Sequence, residues 1–177
     1  MPRTDRKLSG PGAYYSFSIG TGANRDYATI ADFLTAFDNT LVNIYGSEVV
    51  VTLHNDTGQD QWVIETGPIT ISIPSNVKTF SLTVDDDDWH KGDRSKGVVL
   101  KANTAFTGSG VLSITGGTYI SWLIERLIIE GNNQGSGTSP CLIQVTSTNM
   151  TGHFQRGCVL QNLMLFGGDG TYTSARA

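Results

Sequence analysis

The chain has 177 residues, 38% of them hydrophobic, with 21 Gly, 5 Pro and 2 Cys. Its formal net charge is −4 and no basic stripe occurs, which argues against nucleic-acid binding through phosphate neutralisation. Apolar runs reach only about four residues, far short of a membrane span, and the N-terminal MPRTDRKLSGPG lacks the apolar stretch of a signal peptide. A chain of this length suits one domain that buries roughly 70% of its unfolded surface, so folding needs neither a disulfide nor a metal. Cys141 and Cys158 are too few for a disulfide framework and read as buried free thiols. Many Gly with few Pro fits tight turns between strands.

Residues 1–12 are polar, and with the short stretch that follows they read as an N-terminal arm or docking segment, residues 1–18. Tyr14-Tyr15-Ser16-Phe17-Ser18-Ile19 alternates as a strand does. GTGANRDY is a turn-rich connection. Residues 29–38, TIADFLTAFD, carry the one helical pattern: Ile30, Phe33, Leu34 and Phe37 form a single apolar face, and Thr29 and Asp32 have capping-box spacing. So short a helix needs a partner for its apolar face. Beyond it the sequence predicts strands at 48–53, 69–73, 79–84, 97–101, 111–114, 123–130, 141–146 and 158–166, each bounded by Gly, Asn, Asp or Ser. No helical pattern separates them, which excludes βαβ layering after residue 45.

LIERLIIEG at 123–131 returns in altered form as VLQNLMLFG at 159–167, 36 positions later. Leu127 matches Leu163, Ile129 matches Leu165 and Gly131 matches Gly167, while Glu125-Arg126 becomes Gln161-Asn162. Strands 111–114 and 141–146 extend the repeat, with Cys141 opposite Gly110 and Cys158 opposite Trp122. A fixed period built of strands and turns predicts a solenoid of β-strands. Because the apolar positions persist and the charged pair does not, the repeat reads as scaffold.

The stretch GTGANRDYATIADFLTAF (20–37) resembles the entry segment of right-handed parallel β-helix proteins of the pectin-lyase-like superfamily, on Gly20, Gly22, Asp26, Tyr27, Thr29 and Ile30. Pectinesterases and phage tailspikes or tail-fibre proteins share this device. The resemblance implies an all-β, single-stranded parallel β-helix over residues 19–177, capped at its N-terminal end by helix 29–38. It covers 20–38 by motif and 48–167 by repeat texture alone. The fold hosts lyases, hydrolases, esterases and inert structural proteins, so it does not decide function. Enzymes of the superfamily place carboxylates, Arg or Lys on central strands. Here Glu125-Arg126 is the one strand-borne charged pair, and no catalytic set maps onto the chain.

Asp85-Asp86-Asp87-Asp88 offers oxygen ligands for Ca²⁺, but consecutive acids mostly form a solvated, extended loop, partly neutralised here by Lys91, Arg94 and Lys96. His54, His90 and His153 have no partner at metal-ligand spacing and read as polar turn residues. GTGANR precedes a helix but lacks the Lys-Ser/Thr ending of a phosphate loop. Asn103, Asn132, Asn133, Asn149 and Asn162 suit a ladder of turn amides. Trp62 and Trp122 are candidate sugar-stacking platforms, or aromatics packed inside. No catalytic, cofactor or metal residue is therefore assigned.

The expectation is a structural or receptor-binding virion component of a bacteriophage, such as a tailspike, tail fibre or capsid decoration protein. The expected partners are two further copies in a homotrimer, other virion proteins and host surface polysaccharide, with no nucleic acid and no membrane insertion. The location expected is the virion, assembled in the host cytoplasm. The alternatives are a polysaccharide depolymerase or lyase whose catalytic strands lie beyond this segment, or a non-catalytic glycan-binding module. The last residues, GGDGTYTSARA, follow a strand directly, and the fold is expected to be completed by further chain or by another subunit.

Overall fold

The structure is a computed structural model that describes residues 14–40, 47–66, 68–73, 77–101, 110–116, 121–131, 141–147 and 158–166. Among them, twelve strands and one helix follow in the order β1 (Tyr14–Ile19), α1 (Ile30–Thr40), β2 (Ser47–Leu53), β3 (Gln61–Thr66), β4 (Ile69–Ile73), β5 (Val77–Val84), β6 (Gly97–Lys101), β7 (Gly110–Gly116), β8 (Ser121–Glu125), β9 (Ile128–Glu130), β10 (Cys141–Ser147), β11 (Cys158–Gln161) and β12 (Met164–Phe166). The strands form three sheets, of order β1-β2-β5-β8-β11, β3-β6-β9-β12 and β4-β7-β10. Every strand pairing is parallel, and no sheet closes into a barrel. From β2 onward the chain visits the five-, four- and three-stranded sheets in constant order. Each such round is called a tier: β2–β4, β5–β7 and β8–β10, with β1 before them and β11–β12 after.

The interior follows from period-two alternation. In β1 the buried residues are Tyr15, Phe17 and Ile19, and parallel pairing sets them beside Val49, Val51 and Leu53, which sit beside Phe80, Leu82 and Val84. The columns continue to Trp122 and Ile124. Ile69, Ile71 and Ile73 of β4 face the same core, as do Leu112 and Ile114 of β7. One register slip would turn each set outward, so burial fixes the pairing.

Helix α1 supplies the cover that its apolar face requires. Thr29 caps it as the sequence predicts: its Oγ1 accepts the Asp32 amide at 3.0 Å. Ile30, Phe33 and Phe37 are buried. Phe33 lies 5.5 Å from the rings of Phe17 and Tyr27 and stacks on Phe37 at 5.2 Å, which in turn meets Phe80 at 5.9 Å. Each such aromatic contributes about 1.5–3 kcal/mol through burial.

The 36-residue repeat is realised as direct pairing: Leu123 lies beside Val159, Ile128 beside Met164 and Ile129 beside Leu165. Cys141 pairs with Gly110 and Cys158 with Trp122, as expected. Two predicted strands are each divided. Segment 123–130 breaks at Arg126 (φ 66°) and 158–166 at Asn162 (φ 52°), where left-handed residues turn the chain from one sheet to the next. Asn tolerates that conformation through its short polar side chain, but for Arg it carries strain. Strand β3 was not predicted, because QWVIET has no clean alternation. Strand β1 belongs to the five-stranded sheet, so residues 14–18 of the expected arm lie within the fold. Residues 1–13 lie outside those described.

Candidate functional site

The polar side chains with specific partners gather where the chain leaves the five-stranded sheet. At the first exit, Asp56 is held by three donors. Gly22 N–H and Arg25 Nε each donate to its Oδ2 at 2.9 Å, and Arg25 Nη2 pairs with its Oδ1. The Gly-x-Gly of the entry segment is explained here. A Cβ on Gly20 would stand 2.2 Å from Asp56 Oδ2 and 2.9 Å from the His54 carbonyl oxygen, so only Gly admits the carboxylate. Arg25 holds the Asp56 carboxyl below its ordinary range, and Asp56 raises the Arg25 guanidinium in return. Asp26, also of that motif, accepts from the amide and hydroxyl of Ser18 at 2.8 and 2.9 Å, tying the segment to β1.

At the next exit the acidic run makes a compact turn rather than an extended loop. Asp88 N–H donates to the Asp85 carbonyl at 3.0 Å and Asp87 N–H to Asp85 Oδ1 at 3.1 Å. Asp88 Oδ2 accepts the amide of Asn55, from the tier before, at 2.9 Å. Asp86 pairs with Arg126 of the tier after. The principal neutralising cation is therefore Arg126, which also lies over the ring of Trp89 at 5.5 Å.

Residues 85–96 continue as a strap along the outer face of the four-stranded sheet. Arg94 Nη2 reaches Glu130 Oε1 at 3.4 Å, and its guanidinium sits 3.9 Å from the centre of the Phe166 ring. The Arg94 carbonyl accepts from Gln61 Nε2 at 2.7 Å. Val99 and Ile128, neighbours in that sheet, are buried at 1% and 0% exposure yet lie outside the main core cluster. The sheet thus buries apolar residues on its outer side as well.

His54, Asp85 and Asp88 present donor atoms within 4.8 Å of one another, a spacing that a divalent cation can bridge. His54 Nδ1 is 3.6 Å from Asp85 Oδ2 and 3.9 Å from Asp88 Oδ2. Both carboxylates already accept backbone amides, and Arg25 adds positive charge to the surroundings. Burial, and then Arg25, lower the His54 pKa against the opposing carboxylates. The turns account for this cluster, and we assign no metal to it.

Trp122 is buried at 9% exposure in the column with Phe80, so it packs inside and offers no platform to a sugar. Trp62 packs partly buried against the core. His90 is no simple turn residue: it is the one buried polar or charged residue among those described, at 4% exposure. Asn162 has Arg126, not another Asn, at the matching turn of the tier before. His153, Asn103, Asn132, Asn133 and Asn149 lie outside the described residues, as do the side chains of Cys141 and Cys158. Sequence reasoning missed the Arg25–Asp56 pair, whose signal was the room that two glycines leave. It also missed the strap, for which composition gave no signal.

No protein-family model matches the sequence, and no curated protein or solved structure matches it significantly.

Proposed function

We propose that the three parallel sheets are the faces of a right-handed parallel β-helix, and that this helix is a structural scaffold within a bacteriophage virion, in a tailspike, tail fibre or capsid decoration protein. The observation that carries the scaffold reading is a ladder along the five-stranded sheet. Thr83 Oγ1 donates to Glu125 Oε1 at 2.9 Å, and Gln161 Nε2 donates to Glu125 Oε2 at 2.7 Å. The Glu125 carboxylate thus ties β5, β8 and β11 together through neutral side chains, with Arg126 Nε of the following turn 3.9 Å from Oε2. The constant order of sheets supports the winding. The resemblance of the entry segment, with its helix covering one end of the interior, supports the superfamily. The virion assignment and the homotrimer rest on that resemblance.

Sedimentation equilibrium at micromolar concentration, with capture of virion proteins from purified phage, tests this reading. A trimer that retains a virion protein supports it. A monomer that retains none sinks it. Release of reducing ends from host capsule or pectin-like polymers by the purified chain would replace it with the depolymerase reading.

A further inference from the structure

We propose that the end of the stack at β11 and β12 is an interface on which a second copy of this chain docks, tail to tail. Matching positions in successive tiers differ sharply there. Ile124, Leu127 and Ile129 are fully buried. Leu160 and Leu165 pair beside Ile124 and Ile129 and belong to the same inward columns, yet they are 43% and 41% exposed. Among the described residues, no strand pairs with the far edges of β10, β11 and β12. Unpaired N–H and C=O groups beside an open apolar row are a template for pairing with another chain. Proteins blunt a solvated edge with charge or Pro. Here the reverse holds. The tier before carries Glu125, Arg126 and Glu130, and the matching places at this end carry Gln161, Asn162 and Phe166. Residues 158–166, CVLQNLMLF, contain no charged residue and no Pro. Arg94, whose guanidinium lies over Phe166, is already paired with Glu130. Charge disappears where exposure rises, so two copies of β11–β12 can meet without like-charge repulsion between them.

The rest of the molecule points to the same end of a second copy as the occupant. GGDGTYTSARA (167–177) has one large apolar residue, Tyr172, too little to cover the leucine columns. The opposite end of the interior is taken by α1, whose Phe33 meets Phe17 and whose Phe37 meets Phe80, so a copy cannot offer that end. The joint is then isologous, the same surface on both partners. For the column of Leu160 to continue across it, inside must stay inside. The two-fold axis therefore runs along the normal of the five-stranded sheet. That rotation reverses strand direction, so β11 meets its copy antiparallel. The joint needs only the stacked parallel sheets and does not rest on the virion assignment.

Sedimentation equilibrium of the whole chain at micromolar concentration tests the joint. It should give an even number of copies: two, or six if copies also associate side by side as trimers. The double variant Leu160→Lys, Leu165→Lys puts cations on both sides of the joint and should halve that mass. Both positions are partly exposed in a single copy, so the lysine stems can lie along the apolar surface with their ammonium groups in water. Should the variant fail to fold, hydrogen exchange on the wild type decides. Dilution through the association range should speed exchange at 158–166 by roughly tenfold or more, while 47–53 and 77–84 keep their protection. The proposal is overturned by an odd number of copies, by a mass that the lysines leave unchanged, or by exchange at 158–166 that does not depend on concentration. A trimer untouched by the lysines overturns the joint and leaves the virion reading standing. An even assembly that the lysines halve, but that retains no virion protein, supports the joint alone.

Discussion

The entry segment 20–37 and the strap 85–96 both border the five-stranded sheet, yet different forces hold them. The entry segment is fixed by aromatic burial through Phe33 and Phe37, with a multiply bonded Asp56 at its start. The strap carries one buried side chain, His90, and one partly buried aromatic packed on the core, Trp89, and otherwise rests on partly exposed ion pairs, a cation over Phe166 and backbone turns. Apolar burial supplies most of the free energy in such a fold, whereas partly exposed pairs contribute little beyond fixing geometry. The entry segment should therefore govern global stability and the strap local opening.

The largest expected effect comes from Phe33→Ala, which leaves a cavity between Phe17, Tyr27 and Phe37 and should cost about 3–5 kcal/mol in denaturant unfolding. A loss below about 1 kcal/mol would break the contrast, since α1 would then be dispensable. Gly20→Ala comes next: pushing Asp56 aside should cost about 1–3 kcal/mol, as overpacking does. Unfolding of Asp56→Ala and of the double variant would sharpen the point, because part of the Gly20→Ala penalty should vanish once the carboxylate is gone.

Acid titration separates the two regions further. Arg25 lowers the folded-state pKa of Asp56, so this group's stabilisation is present above the ordinary carboxyl value and lost as pH falls through the lower folded value. Asp56→Asn should flatten the thermal stability curve below about pH 4. His54 also has a lowered folded pKa, so its stabilisation is complete above the ordinary histidine value of about 6.5 and lost as pH falls through the folded value. His54→Asn should remove a small part of the loss in melting temperature below that pH while leaving exchange at 158–166 unchanged. The smallest effect belongs to Arg94→Ala: at most about 1 kcal/mol globally, but faster proteolysis within 85–97. Equal cleavage rates in variant and wild type would remove Arg94 from the strap's fastening.

How much could be read beforehand follows the same division. Helix α1, its Thr29 cap and most strands were legible because local periodicity and burial agree. The pairing of 123–131 with 159–167 was legible because stacking places repeated residues side by side. The breaks at Arg126 and Asn162 were not, since an apolar run conceals one left-handed residue. Nor was the acidic turn: four aspartates read as solvated until Asn55 and Arg126, each more than thirty positions away, arrive to bind them. His90 was least legible, because burial of a polar ring depends on Gly92, Gly97 and Asn162 together.

The constant order in which the chain visits its sheets has a consequence for cooperativity. When each tier pairs only with the tiers before and after it, unfolding resembles the loss of links from a one-dimensional chain, starting at an end. The strap departs from that rule. From the tier of β5–β7 it passes the next tier and binds the turn at Asn162. Such a bypass joins three links into one cooperative unit, so fraying of the last tier must either break the bypass first or involve all three.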